Sequence, residues 1–472
     1  MGASVVHLDH MGVAEMARLV AQREISPAAL MAAHLDKIAA LDESINAVVS
    51  VNPLAMEAAR RAESEVLAGG SDLGRLHGVP FTVKDTFDVR GMPATRGSLL
   101  FRDRIARSTA TSVQRLLDEG AILLGKTNTA EFALWWETEN RVFGRTNNPF
   151  DLNRTSGGSS GGDAAAVASG MSPLGIASDL SGSIRIPAHY CGVWGLKPTH
   201  GLVPLTGHWP AVLAEYTHVG PIARCVEDIG VALDVMAGPD DSDWYAVAQA
   251  KDLKDVRRSD VASARIGFLP PDAFGPTSRD VRSAMISARK AIHGTVGSVD
   301  ELEVPPALRQ DFDLLTRQTI GVETNQYYMS VVDGRREDLH HSLQKRLVRP
   351  EVSLGEYEDA RARIREARIA VHEMLAHYEA VVCVVAPVVA PLHNEPRLNV
   401  DGLGYGSRSV MSATIPFALA GVPALSVPVS MSPGGLPVGL QVVGPRLSDR
   451  FLLVLGEQLR SRMLQISTES QQ

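Results

Sequence analysis

The chain has 472 residues, of which 45% are hydrophobic and 21% charged, and its formal net charge is −8. This composition is typical of an ordinary folded protein, and the acidic balance argues against a nucleic-acid binder. No apolar run is long enough to cross a membrane, and three widely spaced cysteines give neither a disulfide framework nor a zinc motif, which fits a reducing cytoplasm. The basic side chains of residues 334–350 are mixed with acidic ones, which predicts a solvated helical face.

Helix and strand patterns alternate through the first half of the chain. Ser26 and Pro27 begin a predicted helix whose apolar spacing continues towards Val51. An apolar strand enters a loop within residues 77–91, and residues 108–128 predict a helix, a glycine stop and a strand. Residues 172–199 predict a strand, a glycine-containing turn and then a helix or an irregular stretch. This alternation predicts an α/β sheet covered by helices.

Helical patterns dominate from about residue 250 to residue 380. One strand is predicted at residues 264–270, and residues 354–379 predict a long amphipathic helix. Strand patterns return after residue 380, before a last helix near residue 448. We therefore predict one interleaved domain over residues 1–472 with a helical surface excursion around 280–380. Its parts are a helical region at about 1–65, a core at about 66–235, a variable helical segment at about 240–380 and a C-terminal return to the sheet at about 381–472.

The stretch TSGGSSGGDAAAVASG, from Thr155 to Gly170, allows three interpretations: a linker, a phosphate cradle or a catalytic loop. It runs directly into an alanine-rich helix, whereas a flexible linker is usually bounded by the ends of domains. It also lacks the Lys-Ser/Thr of a P-loop and the G-x-G-x-x-G spacing. We therefore interpret it as a loop in which glycines allow a serine hydroxyl to be held at the start of a helix.

A second serine and one lysine complete the candidate chemistry. Ser183 follows Gly182 in a turn after a predicted strand, and a serine needs a base to act as a nucleophile at neutral pH. No histidine stands in a triad motif. Lys84 ends a very apolar strand, where desolvation would lower its pKa and favour the neutral amine. A lysine at a strand end is more often a solvated charge, so these residues alone leave both interpretations of Lys84 open.

Four stretches together resemble the amidase signature family. They are VKDTFDVRGMPATRGS, GGSSGGDAAAVASG, ASDLSGSIRIPAHYCGVWGLKPT and PFALAGVPALSVPVS followed by GLPVGLQVVGP. Their order and spacing match over nearly the whole chain, most weakly from about residue 240 to residue 380. The resemblance implies the amidase signature fold, a mixed central sheet with helices on both faces, and hydrolysis of amides through an acyl-enzyme.

The resemblance also implies roles for individual residues. Ser183 matches the nucleophile, Ser159 the bridging serine and Lys84 the general base, and the family's peptide bond before the bridging serine is cis. The implied oxyanion hole consists of backbone N–H groups, those of Leu180, Ser181, Gly182 and Ser183. The implied supporting residues are Gly158, Ser160, Asp179 and Arg185, with Thr155 in the same hydrogen-bond network. Ser181 replaces a glycine that is common in the family, which puts the acyl-group preference in doubt.

The substrate is inferred from aromatic residues near the motifs. Trp135, Trp136, Trp209 and Tyr216 are candidates for an apolar or aryl pocket, with core packing as the alternative for each. We expect small amides, with esters and carbamates (urethanase activity) sharing the same acyl attack. Residues 316–330 could form a lid.

Two other functions stay open. The first is the glutamine-hydrolysing amidase subunit of a tRNA-dependent amidotransferase, which needs a polar pocket and is disfavoured by the tryptophans. The second is a non-catalytic binding protein with the same fold, which is disfavoured by the intact serines and lysine. We expect no cofactor, no metal, no nucleic-acid partner and no membrane partner. We also expect a cytoplasmic location, and relatives in this family are often homodimers.

Overall fold

The computed structural model describes residues 11–69, 73–247, 251, 253, 255–347 and 351–469. The first ten residues of the predicted N-terminal helical region lie outside the described residues, as does the end of the basic stretch, residues 348–350. No helix in the described ranges is both long and apolar enough to cross a membrane.

The regular elements alternate along the chain. The α-helices of the described residues are α1 (Val13–Ala21), α2 (Pro27–Ile45), α3 (Ala55–Leu67), α4 (Thr111–Asp118), α5 (Gly161–Ala168), α6 (Arg185–Cys191), α7 (Val226–Met236), α8 (Arg258–Ala262), α9 (Arg279–Ile292), α10 (Phe312–Gln318), α11 (Ile320–Val332), α12 (His341–Arg346), α13 (Leu354–Leu375), α14 (Ile415–Leu419) and α15 (Asp449–Glu469). The strands are β1 (Val48–Val51), β2 (Pro80–Lys84), β3 (Ile122–Thr127), β4 (Glu139–Asn140), β5 (Gly144–Arg145), β6 (Asn147–Asn148), β7 (Asp151–Thr155), β8 (Leu174–Asp179), β9 (Trp194–Lys197), β10 (His218–Ala223), β11 (Arg265–Phe268), β12 (Ser298–Glu301), β13 (Ala380–Val384), β14 (Arg397–Val400), β15 (Leu403–Gly406), β16 (Ala424–Met431) and β17 (Pro437–Val443).

Helix α2 shows how local chemistry sets the ends of an element. The Ser26 hydroxyl accepts the N–H of Ala29 at 3.2 Å, and Pro27 takes the first helical position. Asn46 adopts the left-handed conformation and ends the helix, so the prediction of a helical pattern continuing towards Val51 was wrong. The β-branched residues that follow form β1 instead, which pairs antiparallel with β3 at the edge of the sheet.

One large sheet receives strands from both halves of the chain. Its order is β1-β3-β2-β8-β10-β9-β16-β17-β13-β11-β12. Strands β3, β2 and β8 are parallel, the pairs from β8 to β13 are antiparallel, and β13, β11 and β12 are parallel again. The mixed α/β fold is therefore confirmed, and β13, β16 and β17 of the C-terminal part lie in this sheet.

Both faces of the sheet are buried. Successive residues of a strand point to opposite faces, and β3 follows this rule. Leu123 belongs to the larger hydrophobic core, whereas Ile122 and Leu124 belong to a second core. The second core also contains Ala164 and Ala188, so helices α5 and α6 lie on that face.

The helical excursion is interrupted by a strand. Helices α9 to α13 occupy most of residues 279–375, but β12 pairs in parallel with β11 as the last strand of the sheet. The sequence analysis did not predict β12, because Ser298–Glu301 is a short, half-exposed edge strand without an apolar run. It also missed β9 and β10, which follow Ser183 in the sequence and lie between β8 and β16 in the middle of the sheet.

Candidate active site

Lys84 lies in the interior with three serine hydroxyls around its amine. It is the last residue of β2, and its side chain is fully buried. Its Nζ lies 2.7 Å from Ser159 Oγ, 2.9 Å from Ser160 Oγ and 3.2 Å from Ser178 Oγ. The Lys84 amine thus lies where the end of β2, the loop before α5 and strand β8 meet.

The loop before α5 is held tightly against a neighbouring segment. The peptide bond between Gly158 and Ser159 is cis. A side chain at Gly158 would place its Cβ 2.7 Å from the carbonyl carbon of Glu137, so only glycine fits this approach. The Thr138 hydroxyl donates to the carbonyl of Gly157 at 2.9 Å, and Thr155 Oγ1 accepts the Gly157 N–H at 3.0 Å. These contacts fix the position from which Ser159 projects.

The turn that carries Ser183 is braced by a buried ion pair. Asp179 ends β8, Arg185 begins α6, and both side chains are 0% exposed. Arg185 donates from Nη2 to Asp179 Oδ1 at 2.8 Å and from Nε to Oδ2 at 2.9 Å. Burial alone would raise the pKa of Asp179, but the guanidinium of Arg185 holds it below its ordinary value.

One of the four predicted oxyanion donors is already engaged. The Gly182 N–H donates to Asp179 Oδ1 at 2.8 Å, so it serves the brace of the turn. In the described part of the chain the N–H groups of Leu180, Ser181 and Ser183 have no acceptor. The structure therefore reduces the set of candidate donors from four to three, because the carboxylate of Asp179 competes for the fourth.

Burial sets the electrostatics of the lysine. Desolvation lowers the pKa of Lys84 to about 7, against the opposing effects of Asp163 and Asp179. The amine is therefore neutral in a large fraction of molecules near neutral pH, and a neutral amine can accept a proton.

Two adjoining cavities open next to these residues. A small inner pocket of about 50 Å³ is bordered by Ser159, Ser178, Ser181 and Ser183 together with apolar side chains such as Phe132. An outer cavity of about 760 Å³ shares five lining residues with the inner pocket. The shared residues are Leu134, Trp135, Leu180, Leu213 and Arg346.

Of the four aromatic residues predicted for the pocket, Trp135 borders both cavities and the other three border neither. Trp136 is 1% exposed and belongs to the larger core. Trp209 packs against Phe132, with ring centroids 4.8 Å apart, and its other neighbours are also aromatic or arginine side chains. Tyr216 accepts a hydrogen bond from Arg361 of α13 at 2.8 Å. For these three the pocket prediction was wrong, because packing inside the fold satisfies each ring.

The sequence analysis missed the polar wall of the outer cavity. Residues 316–330, the proposed lid, supply several lining residues from α10 and α11, among them Arg317 and Tyr328. The basic stretch predicted as a solvated face supplies His341, Lys345 and Arg346. The mixed charge pattern of that stretch could not reveal the cavity, since the partner surface comes from distant segments of the chain.

Arg346 and Glu137 are two charged residues of the cavity wall that have no ion-pair partner among the described residues. Arg346 donates from Nη1 to the carbonyl of Leu134 at 3.0 Å, and no described carboxylate lies within ion-pairing distance of it. Arg408, in contrast, is paired with Asp313. Glu137 accepts the N–H of Asn394 at 3.2 Å, and burial raises its pKa to about 7.

A protein-family model described as Amidase matches residues 29–453. The chain belongs to the amidase family. This match confirms the resemblance to amidase signature enzymes, and the protein is a hydrolase that acts on carbon–nitrogen bonds. Among the described residues of this amidase, no group of His, Cys, Asp and Glu side chains could hold a metal ion.

Relatives of this amidase are named for different activities. A glutamyl-tRNA(Gln) amidotransferase subunit of Acidothermus cellulolyticus is 34% identical over 95% of this chain and 93% of its own. An acylamidase of Rhodococcus erythropolis is 31% identical over 95% of this chain and 94% of its own. The structure of 6-aminohexanoate cyclic dimer hydrolase complexed with substrate superposes with a TM-score of 0.84 at 29% identity, over 97% of this chain and 98% of that one. Membership of the family therefore does not define the substrate.

Proposed function

We propose that this amidase hydrolyses small amides through an acyl-enzyme, with Ser183 as the nucleophile, Ser159 as the proton relay and Lys84 as the base. The observation that carries the proposal is the 2.7 Å contact between the buried Lys84 amine and Ser159 Oγ. Ser159 and Ser183 border the same inner pocket, where a substrate carbonyl can reach both hydroxyls. An activated serine needs a base within hydrogen-bond reach, and Lys84 lies within that reach of Ser159, the proposed relay to Ser183.

The proposed reaction balances its protons at each step. Neutral Lys84 accepts the proton of Ser159, which accepts the proton of Ser183 as its Oγ attacks the acyl carbon. The carbon–nitrogen bond then breaks while Ser159 gives a proton to the leaving amine and takes one back from Lys84, which becomes neutral again. Water attacks the acyl-enzyme in the second half of the reaction, and the same relay removes its proton and restores Ser183.

The oxyanion of the tetrahedral intermediate needs donors that are not otherwise engaged. We assign this role to the N–H groups of Leu180, Ser181 and Ser183, which lack acceptors in the described residues. Each donor aimed at a developing oxyanion contributes about 2.7–4 kcal/mol to the lowering of the barrier. The hydroxyl of Ser181 borders the inner pocket and narrows it, so we expect a compact group next to the carbonyl.

The inner pocket and the outer cavity would hold different parts of the substrate. The inner pocket has an apolar wall that includes Phe132, Leu213 and Met411, which suits a small apolar or aryl group. The outer cavity is larger and carries charged side chains, which suits a polar remainder. Esters and carbamates present the same acyl carbon to Ser183, so we include them among the substrates to be tested.

Covalent labelling tests the proposed nucleophile without knowledge of the substrate. The protein is incubated with a fluorophosphonate, and the modified peptide is identified by mass spectrometry. We expect the adduct on Ser183, its absence in Ser183→Ala and a strongly reduced rate in Lys84→Ala. Ser169→Ala, which changes a half-buried serine at the end of α5, serves as the matched control. Failure of the folded wild-type protein to react would contradict the proposal and favour a non-catalytic binding protein.

One observation favours a second candidate, hydrolysis of an amide that carries a carboxylate, such as glutamine. Arg346 borders both cavities and has no described carboxylate partner, and a guanidinium is well suited to bind a carboxylate through two hydrogen bonds. The earlier argument against this function rested on four aromatic residues, and of these four Trp135 alone lines the cavities. A relative named for glutamyl-tRNA(Gln) amidotransferase gives further support.

Matched substrates distinguish the two candidates. Ammonia release from glutamine is compared with hydrolysis of a neutral aryl amide, in the wild-type chain and in Arg346→Gln. Arg335→Gln, which changes an exposed arginine paired with Asp338, is the control. If a substrate carboxylate binds Arg346, the variant loses activity on glutamine and keeps activity on the neutral amide. Equal losses on both substrates would exclude a role for Arg346 in charge recognition.

A further inference from the structure

A buried carboxyl group lies behind the proposed base and has no role in the proposed reaction. Asp163 is in the first turn of α5, and its side chain is 0% exposed. Neither of its carboxyl oxygens has a hydrogen-bond partner among the described residues. Burying an acidic group without partners is costly, and such a group in a folded protein calls for an explanation.

The fold brings this carboxyl group to the same face of the sheet as Lys84. Val83 belongs to the larger core, so the alternation of β2 directs Lys84 to the opposite face. Helix α5 packs on that face, since its alanines belong to the second core. A Cβ built on Gly175 of β8 would lie 2.9 Å from the Cβ of Asp163, so this glycine lets the aspartate lie directly on the sheet.

Asp163 and Lys84 are the two charged groups here that other partners leave unneutralised. Asp163 is faced by Lys84 from β2 and by Lys126 and Thr127 from β3. Lys126 already has Asp85 at 3.3 Å, and the hydroxyl of Thr127 carries no charge, so neither neutralises Asp163.

The titratable groups that face Lys84 also identify Asp163 as its uncompensated neighbour. They are Asp163 from α5, Asp179 from β8 and His208, which borders the inner pocket. Asp179 is neutralised by Arg185 at 2.8 Å. Burial, with Lys84 as a further cause, lowers the pKa of His208 to about 3, so its ring is uncharged at neutral pH.

We propose that Asp163, which does not contact the Lys84 amine directly, is a positioning residue whose charge acts on Lys84 through the buried interior and so sets the pH range in which Lys84 is a free base. This inference rests on the proposed function of Lys84. An ammonium with a carboxylate and an amine with a carboxylic acid contain the same number of protons, so these two forms of the pair differ only in which group holds the proton. The amine form is the one that can accept a proton from Ser159.

The physical basis is the opposition between burial and attraction. Burial lowers the pKa of Lys84 and raises the pKa of Asp163, so it favours the neutral form of both groups. Attraction between the opposite charges favours the charged form of both. The balance of these two effects decides which form of the pair predominates, and the pair loses its protons in two coupled steps.

The test is the pH dependence of Ser183 labelling by a fluorophosphonate, measured as a second-order rate constant. The wild-type rate reaches its full value only when the pair loses its last proton. In Asp163→Asn the charged amine has lost its attraction to a carboxylate, so we expect the acidic limb to move down by about one pH unit. At alkaline pH, where Lys84 is neutral in both proteins, the rates should agree within about threefold.

A matched control separates this effect from a general effect of removing a buried aspartate. Asp228 also lies in the first turn of a helix, is 1% exposed and has one oxygen without a described partner. It lies in α7, and none of the groups that face Lys84 contacts it. Asp228→Asn should leave the pH profile unchanged, whether or not it lowers the melting temperature.

A second variant and a second measurement cover failure of Asp163→Asn to fold. Asp163→Ser removes the charge in a smaller side chain and should move the acidic limb in the same direction. In Lys84→Met the carboxyl group loses its cationic partner, so infrared spectra should show a stronger protonated-carboxyl band near neutral pH than in the wild type.

The possible results separate the two proposals. An acidic limb that stays in place in Asp163→Asn or Asp163→Ser, while Ser183 is still labelled, overturns the role of Asp163. So does an unchanged infrared carboxyl band in Lys84→Met. Absence of labelling in the wild-type protein overturns the proposed function itself.

Discussion

Replacing Asp179 by asparagine tests the buried ion pair that holds the Ser183 turn. Two hydrogen bonds of 2.8 and 2.9 Å join Asp179 to Arg185, and both side chains are 0% exposed. Asparagine keeps the size of the side chain but removes its charge. The guanidinium of Arg185 then stays buried with neutral acceptors, the Thr414 carbonyl at 3.0 Å and Gln441 Oε1 at 3.1 Å.

The expected loss of stability follows from this burial. Neutralising one partner of a buried ion pair costs about 3–5 kcal/mol, because the remaining charge is left uncompensated. A folded protein typically has about 5–15 kcal/mol of stability, so Asp179→Asn should fold with a clearly lower free energy of unfolding. The turn also loses an acceptor for the Gly182 N–H, and a displaced Ser183 should react roughly a hundredfold more slowly.

The pH dependence of this stabilisation has a definite sign. The folded-state pKa of Asp179 lies below its ordinary value, so the ion pair stabilises the protein above the unfolded pKa, about 3.9. The contribution disappears as pH falls through the lower, folded pKa. The difference in stability between wild type and Asp179→Asn should therefore be constant near neutral pH and shrink below about pH 4.

Urea denaturation followed by circular dichroism measures the difference, and Glu57→Gln is the control. Glu57 and Arg61 form an ion pair in α3 whose side chains are 64% and 59% exposed. Such pairs contribute only about 0.3–0.5 kcal/mol, so the control should hardly move the midpoint. A loss below about 1 kcal/mol in Asp179→Asn would refute the assignment of the brace to this ion pair.

Three further predictions follow from burial and close packing. Labelling of wild-type Ser183 should rise with pH through about 7 as Lys84 loses its proton, and a rate independent of pH would contradict this. Gly162→Ala should lower the melting temperature, because the new methyl group would lie 2.4 Å from the backbone nitrogen of Asn128. Such overpacking lowers the free energy of unfolding by about 1–3 kcal/mol, and an unchanged melting temperature would argue against this packing. Burial raises the pKa of Cys383 to about 12, so iodoacetamide should leave it unmodified in the native protein, and a native adduct would count against this.

Helices could be predicted from the sequence wherever a short stretch contains its own capping residues or apolar spacing. Ser26 and Pro27 mark the start of α2, and the alanine-rich residues after Gly162 mark α5. The amphipathic spacing of α13 identified buried positions such as Ile364 and Val371. Such signals depend on neighbours within one or two turns, so no tertiary information is needed to interpret them.

Elements and contacts that depend on distant partners could not be predicted in this way. The polar strand β12 is a strand because β11 lies beside it. Trp136, Trp209 and Tyr216 carried the same aromatic signal as Trp135, yet only Trp135 borders a cavity. An aromatic ring serves the core or a pocket equally well, and the choice depends on which surface packs against it.

The sequence by itself determined the family, the candidate roles of Lys84, Ser159 and Ser183, and most of the local elements, because motifs and periodic patterns are written in contiguous residues. Only the tertiary structure decided that the Gly182 N–H is engaged by Asp179, that Arg346 faces both cavities and that Asp163 lies unpaired on the face of Lys84. The physical reason is that desolvation and charge pairing depend on which groups surround a residue, and in this chain those groups come from segments far apart in the sequence.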